Sequence, residues 1–132
     1  RALGSNMVEC FGATHYFYRY PDTQTNTDFV ESYRNEYDED PFASAEETYS
    51  TVTALQNAIE KTGELSTDGI IDGLEGLEWE TPEGTKKIRA DDHECRQPNW
   101  MGPIRQVDYQ DYYGFAEMRP SDVFPDPDAT CS

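Results

Sequence analysis

The chain has 132 residues, enough for one domain with a modest core. Its 27 acidic side chains against 10 basic ones give a formal net charge of −17, which excludes nucleic acid and anionic membrane surfaces as partners because phosphate would repel it. Aromatic residues at 13% exclude a disordered acidic tail, and no apolar run approaches the roughly 20 residues that cross a bilayer.

The elements follow in chain order. Arg1-Ala2-Leu3-Gly4 reads as the end of a helix and the chain does not start with Met, so it is expected to be a piece of a longer protein. Val8–Phe11 is a short apolar run that predicts the end of a strand. Thr14–Tyr20 is dense in aromatics and is followed by Pro21-Asp22-Thr23, which predicts an extended segment entering a loop. Asn26 is the expected N-cap of a first helix, with Asp28 in its first turn. Phe29, Val30, Tyr33 and Tyr37 share a face of that helix, and Asp38-Glu39-Asp40-Pro41 ends it.

A second helix is predicted over about Ala43–Thr62. Ala45, Tyr49, Val52, Leu55 and Ile59 recur at three- and four-residue steps as one buried stripe, widened by Ala54 and Ala58. Glu60 and Lys61 face water, and Gly63 stops the helix. Ser66 caps a short third helix with Ile70, Ile71 and Leu74 as its apolar positions and Gly76 at its end; Gly69 and Gly73 weaken it. The period then changes. Leu77–Thr81 and Thr85–Ala90 flank Pro82-Glu83-Gly84 as a β-hairpin. Pro98–Val107 reads as a strand, Tyr109–Met118 as a partner for it across Asp108, and Pro120–Ser132 as a flexible tail.

The acids are spread along the whole chain. At about 1 M salt the Debye length falls to roughly 3 Å and self-repulsion is screened, so the composition suits a protein of concentrated salt, a halophilic source. An acidic patch on an ordinary protein is the alternative. The three cysteines Cys10, Cys95 and Cys131 cannot pair completely and match no zinc spacing. They read as idle thiols, with a Cys10–Cys95 disulfide open in an extracellular setting. Asp91-Asp92-His93-Glu94-Cys95 is metal-capable by residue type, but adjacent residues scatter over both faces of a strand or loop, so no metal is expected. There is no Gly-rich phosphate loop and no Ser/His/Asp signature. No cofactor is expected, and no catalysis.

Three segments, in order, carry a family likeness. The first is Tyr16-Phe17, Asp22-Thr23, Asn26, Phe29-Val30 and Tyr33. The second is Pro41, Glu46, Tyr49, Ala58-Ile59-Glu60-Lys61 and Gly63. The third is Leu74-Glu75-Gly76-Leu77, Pro82-Glu83-Gly84, Arg89-Ala90-Asp91-Asp92-His93 and Gln97-Pro98. Together they resemble the C-terminal part of the periplasmic-type substrate-binding proteins of ABC importers, in the branched-chain amino acid, amide and urea group.

The resemblance implies an α/β fold: a partial type I periplasmic-binding-protein lobe, with helices packed on a sheet and a C-terminal β-hairpin region. It assigns residues 1–119 to the C-terminal portion of the solute-binding domain and leaves 120–132 as the tail. The implied function is the extracytoplasmic capture of an amino acid, amide or urea-like solute between two lobes. The resemblance also implies ABC transporter membrane subunits as partners and a lipid anchor on the full-length protein. A ligand-sensing regulatory domain of the same fold and a carboxylate-dependent hydrolase are the alternatives. Self-association through an unpaired sheet edge is a further expectation.

The expected ligand-binding residues are Tyr16 and Tyr18, as aromatic walls with hydroxyls, and Ser44 and Glu46 in the first turn of the second helix. Ser44 stands near the family's apolar cleft contact, and Glu46 at an acidic position of the amide and urea subgroup. The open N–H groups of that helix end would serve a carboxylate or carbonyl. Solvated glutamates, a core Tyr49 and a plain aromatic sheet surface are the competing readings of the same residues.

Overall fold

A computed structural model describes residues 11–106, 113–115 and 119–121. The elements are β1 (Phe11–Thr14), α1 (Gln24–Tyr37), α2 (Ala43–Thr62), α3 (Thr67–Leu74), β2 (Glu78–Thr81), β3 (Gly84–Ile88), β4 (Cys95–Arg96), β5 (Asn99–Gln106), β6 (Tyr113–Phe115) and β7 (Arg119–Ser121). None of the described helices is long and apolar enough to cross a membrane.

Strand β5 organises one sheet. Its residues Trp100 and Met101 pair with Thr14 and Ala13 of β1 on one edge and with Pro120 and Arg119 of β7 on the other. β6 joins further along, with Ile104 opposite Phe115. Pro120 and Ser121, expected at the start of the tail, are therefore paired strand; the rest of that tail, Asp122–Ser132, lies outside the described residues. So do residues 8–10 of the expected strand end, and the parts of the expected Tyr109–Met118 partner on either side of β6.

A second sheet is the antiparallel meander β2-β3-β4. Its hairpin closes at Thr81 opposite Gly84 across Pro82-Glu83, as the turn residues require. Gly84 holds φ +126°, a conformation that side chains rarely adopt. Asp91 and Asp92 lie in the turn between β3 and β4.

The helix bounds have local causes. Thr23, rather than the expected Asn26, is the N-cap of α1: its hydroxyl accepts from the Asn26 backbone N–H. Asn26 sits one turn inside with its side chain buried. Asp38 ends α1 in the left-handed region, its N–H donating to the Arg34 carbonyl. The α2 bounds match the expected ones, with Gly63 at φ +72° donating to the Ile59 carbonyl. Ser66 caps α3 by accepting from the Gly69 N–H.

The buried faces differ from those expected. Along α2 the buried residues are Glu46, Ser50, Ala54 and Ala58. Tyr49, Val52 and Leu55 of the expected stripe are exposed. Small residues are needed on the buried face because α3 comes very close: a Cβ added at Gly73 would lie 2.5 Å from the Ala58 carbonyl oxygen. Gly69 and Gly73 form the buried face of α3, while Ile71 is exposed. Both glycines lower helix propensity, but Gly73 permits the close approach to α2, and Gly69 makes room for the Glu64 and Ser66 side chains. Gly73→Ala is expected to cost about 1–3 kcal/mol through overpacking, read as a lowered urea midpoint; an unchanged midpoint would show that the helices can part freely. Lys61 is exposed as expected, and its ammonium also donates to the carbonyls of Gly73 and Glu75, each at 3.1 Å. It thereby satisfies the C-terminal end of α3.

Candidate functional site

The segment from Tyr16 to Pro21 folds as a turn rather than the expected extended run. Tyr20 N–H donates to the Phe17 carbonyl at 2.8 Å, and the Tyr20–Pro21 peptide is cis. Asn26 organises this loop from α1. Its Oδ1 accepts from the Tyr16 hydroxyl at 2.9 Å, and its Nδ2 donates to the carbonyls of Tyr18 and Pro21, each at 3.0 Å. A buried amide with these bonds is satisfied and rigid.

Tyr16 is closed to solvent and packs with Phe29 and Val30, its ring edge-on to Phe29 at 6.1 Å. Burial, and then the nearby Glu46 carboxylate, push its hydroxyl well above the usual tyrosine range. Tyr18 is half-buried beside that cluster. The guanidinium carbons of Arg19 and Arg34 each lie 5.6 Å from its ring centre, within cation–π range. Tyr18, Asn26, Val30 and Arg34 share the wall of a groove of about 420 Å³.

Ser44 is exposed in the first turn of α2, where Phe42 provides no side-chain cap. Glu46, two residues on, is fully buried, against the solvated reading. The Ser50 hydroxyl donates to its Oε1, and the Lys86 ammonium lies 3.1 Å from its Oε2. Lys86 is also 2.8 Å from Glu83 Oε2. This is an ion-pair contact, and neither Glu83 oxygen meets the geometry of a hydrogen bond. Burial pushes the Glu83 carboxyl up to about 8, with Lys86 opposing. Burial also works to lower the Lys86 ammonium, but the two carboxylates outweigh it and its net shift is upward. Tyr49, one face round from Glu46, is exposed yet contacts Phe29, ring centres 5.0 Å apart.

Tyr16 and Tyr18 are thus brought together on one pinned loop, and Glu46 lies within electrostatic reach of Tyr16. Ser44 stands apart on the surface. Sequence reasoning missed Asn26 as the organiser of the loop and Lys86 as the partner of Glu46. The Asp22-Thr23 to Asn26 spacing hinted at the first. Nothing local signals the second, because the pair is separated by most of two helices and a hairpin.

The metal-capable stretch is tied up internally. Arg89 bonds the carboxylates of Asp92 and Glu94, and the first of these bonds holds the Asp92 carboxyl below its usual range. His93 Nε2 meets Glu75 Oε1 at 2.8 Å. Cys95 is a free, half-buried thiol, raised by burial; Cys10 and Cys131 lie outside the described residues.

Helices laid beside a sheet centred on β5 and a three-stranded meander form part of a type I periplasmic-binding fold. The sequence profile described as Periplasmic binding protein matches residues 1–109. The chain belongs to that family. A solute-binding protein of an ABC transporter from Rhodopseudomonas palustris BisB5, solved with 3,4-dihydroxybenzoic acid, superposes with a TM-score of 0.80 at 25% identity, over 94% of this chain and 34% of that one. An amino acid ABC transporter substrate-binding protein from Pseudomonas fluorescens Pf-5 gives 0.73 at 25% identity, over 95% and 34%. The leucine-, isoleucine-, valine-, threonine- and alanine-binding protein from Brucella ovis shares the fold, with a TM-score of 0.74 at 18% identity, over 94% and 35%. The chain therefore spans about a third of the length of these structures. No curated protein matches it.

Proposed function

We propose that the chain is part of the extracytoplasmic solute-binding component of an ABC importer, which captures a small polar solute and delivers it to the transporter membrane subunits without catalysis. The family match over residues 1–109 carries this reading. The solute is an amino acid, amide or urea-like molecule; the aromatic acid held by one structural relative adds small aromatic carboxylates to the panel worth testing. Tyr18 and Ser44, which reach solvent, are the proposed contacts. Tyr16 packs beside Tyr18, and Glu46 is buried two residues along α2 from Ser44. The open first turn of α2 beside Ser44 suits a carboxylate or carbonyl.

The test is a thermal-shift panel of amino acids, amides, urea and hydroxybenzoates on the protein containing this chain. A ligand at 100 times its Kd is expected to add about 2.7 kcal/mol, and silence across the panel would count against solute capture. Running the panel in 0.1 M and 2 M salt also tests the proposed halophilic origin, for which a higher melting temperature in 2 M salt is expected and equal stability would remove the idea.

A further inference from the structure

We propose that Glu46, Lys86 and Glu83 form a proton-operated latch between α2 and the β2–β3 hairpin, closed while one proton stays on Glu83. All three side chains are buried, with 0%, 4% and 0% of their side-chain surface exposed. Two acids and one base cannot all be charged there without leaving an uncompensated buried charge. The odd charge falls on Glu83. Glu46 has the Ser50 hydroxyl and the Lys86 ammonium as aligned donors, whereas neither Glu83 oxygen has one.

The backbone that carries the carboxyl is pinned on both sides. The Glu83 N–H donates to Thr81 Oγ1 at 3.2 Å, and the Glu83 carbonyl accepts from Trp100 Nε1 at 3.2 Å. Proton loss therefore has to be met by movement of the hairpin tip against α2 and β5, or by water entering between them. The ionisable groups facing Glu83 are Lys86 from β3, Glu46 from α2 and the Cys95 thiol from β4. The thiol is itself held above its ordinary value by burial, so it keeps its proton while Glu83 titrates. The Glu83 carboxyl, raised to about 8, is protonated in the folded chain where an unfolded glutamate is not. Its stabilising contribution is complete below the ordinary glutamate value and is lost as pH rises through about 8.

Both tryptophans of the chain, Trp79 and Trp100, are buried on or against this hairpin and report its opening. Tryptophan emission followed from about pH 5 to 9 is expected to shift to the red with a midpoint near 8. Glu83→Gln should abolish the shift, and Cys95→Ser should leave it intact. A midpoint unmoved in Glu83→Gln, or a shift lost in Cys95→Ser, overturns the latch. Should Glu83→Gln fail to fold, carbon NMR of glutamate carboxyls in the unaltered chain decides the matter. One glutamate titrating near 8 supports the proposal, and all of them titrating at ordinary values overturns it.

Discussion

Lys86→Met is expected to destabilise the chain by about 3–5 kcal/mol, the cost of leaving the buried Glu46 carboxylate without its cation. Lys86 is 3.1 Å from Glu46 and 2.8 Å from Glu83. Domains of this size are stable by only about 5–15 kcal/mol, so the variant should lose much of its stability. Urea unfolding followed by circular dichroism measures it. The informative companion is the triple replacement Glu46→Leu, Lys86→Met and Glu83→Leu. Removing the ion pair and the neutral acid together is expected to restore stability to near the starting value, since apolar substitutes for a buried ionic cluster are often neutral or better. A loss under about 1 kcal/mol in Lys86→Met would mean that the cluster is hydrated in solution.

Asn26→Ala is the second large effect, on the order of 3 kcal/mol, because three partners lose a hydrogen bond together, one of them fully buried. The Tyr16 hydroxyl and the carbonyls of Tyr18 and Pro21 would all be left behind. Asn26→Asp keeps the acceptor for Tyr16 but removes both donors and adds a buried charge, so it should be at least as damaging. Thermal melts measure both. If Tyr18 contacts solute as proposed, affinity should fall along with stability; an unchanged melting temperature would show that the loop holds its shape without this amide.

Local punctuation made the helices legible. Pro41 and Gly63 bracket α2 and Ser66 opens α3, each acting through backbone geometry that depends on one residue and its neighbours. The buried faces were not legible in the same way. Tyr49, Val52 and Leu55 look like a core stripe because hydrophobicity is a property of single residues. Glu46 and Ser50 are buried because Lys86 and Glu83 meet them from another element, which periodicity along α2 does not report. Gly73 reads as a weak point until Ala58 is seen against it, and Gly69 until the Glu64 and Ser66 side chains are. The aromatic run at Tyr16–Tyr20 suggested an extended segment entering a loop, whereas hydrogen bonds from Asn26 hold it as a turn. Of the expected site residues, aromatic chemistry suggested Tyr16 and Tyr18 and the resemblance suggested Ser44 and Glu46, but only the fold separates the two that reach solvent from the two that do not.

The pairing of β1 with β5 has a consequence for biosynthesis. During vectorial synthesis β1 emerges long before its mate, and the helices and hairpin must be made in between. Those intervening pieces rely on nearby contacts and can settle early, while closure of the long loop comes late. Until then β1 exposes a bare edge, and the nascent chain is at its most vulnerable to pairing with a neighbour.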